Sequence, residues 1–489
     1  MSSSDWKLPP GLPHSLPFYA FKPWVKLGEP IRLFEYLHRT YGSIAHYRFM
    51  GTSIIFVNEP DYIREILVTQ AAAFIKERTV RRMKILLGEG LITSDDPIHI
   101  RQRRIVAPAF HRQRIAAYAD EIVASAARHT AQWKPGETID ISAAMMSLSL
   151  EIVARTLFNT EVTDDIRRIN DEVNTIMGIY NFLVAFPRME SFLHLPIPGI
   201  VKFRRAKARL DAVVDRLIAE HRATGSDRGD LLSMLIASRD EDNTTGMSDE
   251  QIRDEVLTIF LAGYETTANA LAWTWYLLSQ NPQAETKLHA ELDTVLGTPS
   301  PTDQNNDVSF RAERREAEEP PHFTLPVEPQ QHRLPTLADY PNLRYTEQVF
   351  AESMRLYPPA WAMGRMSTQP VTLGPYRIPP GAHFFMSQYM ISRTPELYPD
   401  PLHFDPDRFT PEAKATRPRF AYFPFGAGSR QCIGESFAWM EGVLAIATIA
   451  QRWRMTYMGV EPPIPQAKIT LRPRDPVMMR LTPRLSISN

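Results

Sequence analysis

Apolar positions along the chain change their period twice. Near the start, "GSIAHYRFMGTSIIFVNEP" sets β-branched and aromatic residues on both sides of Gly51, which predicts two paired strands. After Asp61 the period lengthens. "PDYIREILVT", "RIAAYADEIVASAARHTAQW", "SAAMMSLSLEIVARTLF" and "RRAKARLDAVVDRLIAEHRATG" repeat apolar residues at helical spacing, and this pattern dominates to about Gln280. Strand-and-turn blocks return in "VTLGPYRIPPGAHFFMSQYMIS" and "KITLRPRDPVMMRLTP". The expected fold is mainly α, with small β-sheets assembled from distant segments.

One helical stretch stands apart, "MSDEQIRDEVLTIFLAGYETTANALAWTWYLLSQNP". Ser248 and Gln251 form a capping box and Asn281-Pro282 a stop, which predicts a single helix of about 30 residues. Its middle is apolar nearly all round, as in a helix that runs through the core. Within that run Ala262 and Gly263 withdraw bulk, while Glu265, Thr266 and Thr267 add polar groups. Two accounts are open: the threonines bond back to carbonyls one turn earlier and Glu265 finds an ion partner, or the small residues make room for a ligand to which the alcohol and the carboxylate supply protons. The second account expects a local loosening of the helix at Gly263. By contrast, residues 298–336 are rich in proline and charge and without period, the composition of an exposed, unstructured inserted loop.

The chain has 489 residues, 44% hydrophobic, enough for a sizeable core, and its formal net charge of -1 gives no electrostatic case for nucleic acid. A single cysteine excludes an internal disulfide and fits a reducing, cytoplasmic setting. Residues 1–28 are expected to form a proline-rich arm without a membrane anchor. Length alone allows two or three domains.

That cysteine, Cys432, lies in "YFPFGAGSRQCIGESFAW", framed by Phe425, Gly426, Gly428, Arg430 and Gly434 and followed by a helical stretch. The glycines allow turns and leave amides free to face the sulfur. A position at a helix start is expected to lower the thiol pKa. Zinc is disfavoured because Cys432 has no CxxC partner. A buried apolar thiol and a catalytic nucleophile remain open, but a flat platform of small residues with a nearby arginine suits a planar macrocycle carrying carboxylates, for which one axial thiolate is enough.

"FGAGSRQCIG" closely resembles the haem-binding signature of the cytochrome P450 superfamily, and further motifs follow in the family's order. The resemblance implies haem b held by Cys432 as the metal ligand, with Phe425, Gly426 and Arg430 in its frame and Ala262 over the ring. It makes residues 29–489 a single catalytic domain, and Glu265 and Thr266 the acid-alcohol pair that delivers protons. Glu352 and Arg355 in "ESMR" share a helical face, and the resemblance joins them to Arg408 of "FDPDRF" in a buried network that supports the haem pocket. His99 and Arg103 in "DDPIHIRQRRIVAPAF", with Arg430 and Arg365 of "AMGRMST", would hold the propionates; His99 stands where many relatives carry tryptophan. Substrate-pocket positions by resemblance are Phe260, Leu261, Tyr180, Phe182, Trp361, Met363 and Leu471.

The implied activity is a monooxygenase that uses O2 to insert one oxygen atom into a hydrophobic fatty-acid, terpenoid or steroid-like substrate. No GxGxxG fingerprint appears, so NAD(P)H electrons are expected through a separate ferredoxin- or flavodoxin-type donor with its reductase. Arg101, Arg112, Arg114, Arg417 and Arg419 are candidates for the docking surface, and the protein is expected to be a monomer. A hydrogen peroxide-driven peroxygenase and a non-catalytic haem sensor or carrier are the alternatives. Neither has need of the proton-delivery pair.

Overall fold

The long helix expected between the capping box and Asn281-Pro282 runs over Asp249–Gln280 in the computed structural model, which describes residues 6–19, 22–23, 29–159, 172, 195–224, 230–238, 246–297 and 333–484. Ser248 Oγ accepts from Gln251 N at 3.2 Å and Gln251 Oε1 from Ser248 N at 3.1 Å, so both halves of the box form. At 1.5 Å per residue this helix is about 48 Å long, enough to cross a whole domain. It is α-helical throughout, so the loosening expected at Gly263 does not occur. The missing side chain serves packing instead: a Cβ there would come within 3.1 Å of Val153 Cγ2 on the neighbouring helix Ile141–Phe158.

Helices Arg112–Ala131, Ile141–Phe158, Arg344–Leu356 and Glu435–Ala450 contribute with the central helix to one large apolar core. Among the described residues, only Ile141–Phe158 is long and apolar enough to cross a membrane, and it is packed within this core.

The expected hairpin about Gly51 forms, with strands Ile44–Phe49 and Thr52–Val57 antiparallel. It continues into a six-stranded sheet in the order Gly11–Ser15, Ile44–Phe49, Thr52–Val57, His383–Met386, Met363–Ser367, Phe74–Lys76. The described part of the proposed N-terminal arm is therefore built into the domain: Gly11–Ser15 pairs parallel to Ile44–Phe49, and Lys7 bridges to Arg377. Of the proposed insert, 298–332 lies outside the described residues. A two-stranded hairpin of Pro465–Ala467 with Leu471–Pro473 completes what positions the site.

Candidate active site

Cys432 is placed by its own loop. Cys432 N donates to Phe425 O at 2.9 Å and Gly426 N to Phe423 O at 2.9 Å, closing a tight double turn ahead of helix Glu435–Ala450. Two glycines make this turn possible. Gly428, at φ +73°, passes so close to the turn Glu65–Thr69 that a Cβ would lie 2.2 Å from Leu67 O, and Gly426, at φ +71°, sits against the Met363 side chain. Phe425 packs against Trp439, with ring centroids 5.8 Å apart.

The Gly434 amide faces the sulfur as expected, but burial outweighs it and pushes the thiol up to about 11. The loop alone therefore does not generate a thiolate. Yet Cys432 is exposed. A residue that is exposed while its thiol is closely surrounded by protein borders an internal hollow, and a metal cation bound there would deprotonate the thiol.

Cations collect at one edge of this loop. Arg430 reaches Ser94 O at 3.3 Å, Asp96 Oδ2 at 3.2 Å and Asp95 Oδ1 at 3.6 Å. Arg103 donates to Gln431 O at 2.7 Å, which ties helix Ile98–Val106 to the loop. Arg365 donates to Gly364 O at 2.8 Å. Burial, then the Arg430 charge, brings Arg365 down to about 10. His99 is buried beside Asp96 and is lowered to about 4 by burial and by Lys76 and Arg430, so at neutral pH it is an uncharged hydrogen-bonding group.

Sequence reasoning missed Lys76. It is 6% exposed, its ammonium donates to Leu91 O at 2.7 Å, and burial and Arg430 lower it to about 7. Like charges held together away from water are costly unless an anion joins them, and Asp95 and Asp96 offset them only in part. A dicarboxylate bound at this edge would supply the missing charge. Lys76→Met is expected to speed transfer of haem to apomyoglobin roughly tenfold, the equivalent of losing one charge-assisted hydrogen bond of ~1.5 kcal/mol.

The central helix opens one face. Between Glu255 and Leu278 every residue is buried except Ala262, Gly263 and Thr266, which lie within one helical turn. Thr266 Oγ1 donates to Ala262 O at 2.7 Å, the back-bond of the first account, while its oxygen remains on the partly exposed face of the second. Glu265, one residue earlier, points elsewhere: it is buried, and its Oε1 accepts from Thr470 Oγ1 at 2.6 Å. Burial raises its pKa, against the Thr470 hydrogen bond and the charges of Arg472 and Lys468. Thr267 turns toward the fully buried Glu441 on the cysteine helix, whose carboxyl burial raises to about 8 despite the Ser149 and Thr267 hydroxyls.

The network expected around Glu352 is present. Both Glu352 and Arg355 are 0% exposed. Arg355 donates from Nε and Nη2 to the two Glu352 oxygens at 2.6 and 2.7 Å, and to Ser392 O, Pro401 O and His403 O at 2.7, 2.7 and 3.2 Å, so all five of its N–H groups are used. Arg408 Nε stands 3.6 Å from Glu352 Oε1. Tyr422 Oη donates to Ala351 O at 3.0 Å and Tyr398 Oη to Ala421 O at 3.1 Å, which joins this network to the cysteine loop.

The expected pocket positions divide. Met363 lies against the cysteine loop. Phe260 and Leu261 are 6% and 7% exposed, and the Phe260 ring makes tilted contacts with Phe158 and Tyr264, at centroid distances of 5.9 and 5.5 Å. Two positions need correction. Leu471 is 0% exposed in the apolar cluster of the large sheet, and Trp361 packs in the same cluster with its Nε1 on Lys468 O at 2.9 Å. Both side chains are spent on holding the hairpin to the sheet. Tyr180 and Phe182 lie outside the described residues.

Among the described residues no three His, Cys, Asp or Glu side chains converge on a common metal position. One sulfur in an internal hollow, a small-residue helix face and a cation edge fit a haem with a single thiolate ligand, and so define a haem-thiolate class of protein.

The comparisons agree. The cytochrome P450 family model matches residues 9–308 and 326–480, and the chain belongs to that family. Residues 309–325, between the two matched parts, fall inside the segment read as an insert. Cyclooctatin synthase of Streptomyces melanosporofaciens is 37% identical over 89% of this chain and 86% of its own. Cyclooctat-9-en-7-ol 5-monooxygenase of the same organism is 35% identical over 85% and 83%. Pentalenene oxygenase of Streptomyces avermitilis is 32% identical over 94% of each. In fold, the chain is similar to the cytochrome P450DA heme domain, with a TM-score of 0.80 at 22% identity over 98% of each chain. It is also similar to retinoic acid-bound cyanobacterial CYP120A1, with a TM-score of 0.78 at 23% identity over 98% of this chain and all of the other. The protein is a cytochrome P450 oxidoreductase of the monooxygenase type.

Proposed function

We propose that this monooxygenase inserts one oxygen atom of O2 into a terpenoid, with electrons from a separate ferredoxin- or flavodoxin-type donor and its reductase. The observation that carries the substrate class is the identity to three terpenoid-modifying relatives across most of each chain. Apolar residues along the central helix and over the cysteine loop support it, because a hydrocarbon gains by leaving water for such surroundings.

Cys432 would be the protein's ligand to the haem iron, with Arg430, Arg365, Arg103, Lys76 and the His99 ring available to its carboxylates. When bound, thiolate-ligated haem supplies activation of O2. The rest falls to side chains. Ala262 leaves room over the ring, and the Thr266 hydroxyl, fixed on Ala262 O, holds a proton donor-acceptor oxygen on the open face. Of the arginines considered for donor docking, Arg417 has other work: its guanidinium lies 4.6 Å from the Tyr398 ring centroid and 4.9 Å from that of Phe409.

The test is a Soret-shift screen of cyclic sesquiterpene and diterpene hydrocarbons and alcohols against fatty acids and steroids, followed by 18O2 labelling of the product. Shifts and single-label incorporation confined to fatty acids would overturn the terpenoid reading. Thr266→Ala should lower product formed per NAD(P)H by about an order of magnitude, the low side of what a positioned proton-transfer group contributes, while leaving substrate affinity near its original value. Unchanged coupling counts against the role given to Thr266.

A further inference from the structure

Three side chains spaced four apart on the central helix, Glu265, Asn269 and Trp273, all grip one short stretch of the C-terminal hairpin. Glu265 Oε1 accepts from Thr470 Oγ1 at 2.6 Å, Asn269 Nδ2 donates to Thr470 Oγ1 at 3.2 Å, and Trp273 Nε1 donates to Leu471 O at 3.2 Å. Asn269 Nδ2 also bonds back to Glu265 O at 2.9 Å, so the stripe is internally braced. Residues at i, i+4 and i+8 share one helical face. All five residues in these contacts are buried.

The gripped stretch is held from its other side as well. Leu471 N donates to Pro359 O at 2.9 Å and Trp361 Nε1 to Lys468 O at 2.9 Å. Between these bonds Ile469 packs, partly buried, on the cluster that contains Phe260 and Leu261. Because Thr470 bonds to Glu265, the neighbour of Thr266, the turn meets the helix one residue from its open face.

Thr266 follows Glu265 directly, and successive residues of an α-helix stand about 100° apart around its axis. The alcohol faces the hollow; the carboxyl faces the hairpin. We propose that Glu265 is a positioning residue, which clamps the turn at Thr470 to the central helix and thereby shapes the flank of the substrate site, while proton handling falls to Thr266. This rests on the monooxygenase reading above. It differs from the role that the acid-alcohol motif implies for the acid.

Glutamine separates the two roles, since its side-chain carbonyl still accepts from Thr470 but it has no acidic proton to give. The haem-loaded protein is compared as wild type, Glu265→Gln, Glu265→Ala, Thr470→Val and Thr470→Ser. Amide hydrogen exchange over residues 465–473 should speed up at least tenfold in Glu265→Ala and Thr470→Val, and stay near wild type in Glu265→Gln and Thr470→Ser. With the terpene giving the largest Soret shift, KM should rise roughly tenfold in the two disruptive variants with kcat little changed, and the conservative pair should rescue it. Peroxide released per NADPH oxidised should be high in Thr266→Ala and low in Glu265→Gln.

The clamp is overturned if Glu265→Ala leaves exchange in this segment unchanged, or if Glu265→Gln releases as much peroxide as Thr266→Ala. Failure of the terpenoid reading shows separately, as a wild type that oxidises no terpene; the exchange measurement is independent of it.

Discussion

Cys432→Ser removes the red-shifted Soret band of the reduced, carbon-monoxide-bound protein and takes product formation below detection. The effect is total because the chain has one cysteine, so no second thiol can supply a thiolate. A serine hydroxyl in the same place has a far higher pKa than a thiol, and burial that already pushes the Cys432 thiol up to about 11 would oppose its ionisation further. Without the sulfur the chain would have no thiolate to offer a bound haem, and the O2 chemistry that such a haem supplies would be lost. Neither Phe425 O nor the Gly434 amide requires sulfur for the turn itself, so the helical circular dichroism should be kept. A surviving thiolate-type band in this variant would show that Cys432 is not the ligand.

Arg355→Met costs about 3–5 kcal/mol, the range found when one partner of a buried ion pair is removed. Folded proteins are stable by only about 5–15 kcal/mol, so this variant is expected to unfold at a much lower urea concentration and to be only marginally folded at 37 °C. The reason lies in what remains: Glu352, 0% exposed, would keep only the Asp405 amide and the more distant Arg408. Three carbonyls, at Ser392, Pro401 and His403, would lose their donor at the same time. Arg355→Lys fares little better, since an ammonium has three protons for five acceptor positions. The double change Glu352→Leu with Arg355→Met should recover part of the loss, because it removes the buried charge. Full recovery is excluded by the orphaned carbonyls. Urea unfolding of the four proteins measures each term, and an Arg355→Met variant as stable as wild type would refute the account.

Parts of this architecture were legible in the sequence because their signals are local. Ser248, Gln251 and Asn281-Pro282 bounded the central helix, and the glycines around Cys432 marked its loop. Glu352 and Arg355, three residues apart, needed only helical geometry, although nothing local showed that they are buried. What stayed hidden depends on distant partners. The direction of Glu265 is set by Thr470, 205 residues away. Lys76 closes a short strand like many exposed lysines, and its meaning comes from Arg365 and Arg430 folding onto it. Gly263 is small both beside a ligand and beside Val153, so its residue type could not distinguish the two uses. Leu471 and Trp361 illustrate the same limit for apolar residues: pocket wall and sheet core call for the same chemistry.

The crowding of Lys76, Arg365 and Arg430 also bears on where a ligand would stiffen the molecule. The helices pack by apolar contacts that need no cofactor, whereas the cation edge works against itself until a dianion is seated there. A doubly charged ligand would therefore matter more to the rigidity of this rim than to the helical core, because the rim's protein bonds to Ser94 O, Leu91 O, Asp95 and Asp96 leave part of its positive charge unanswered.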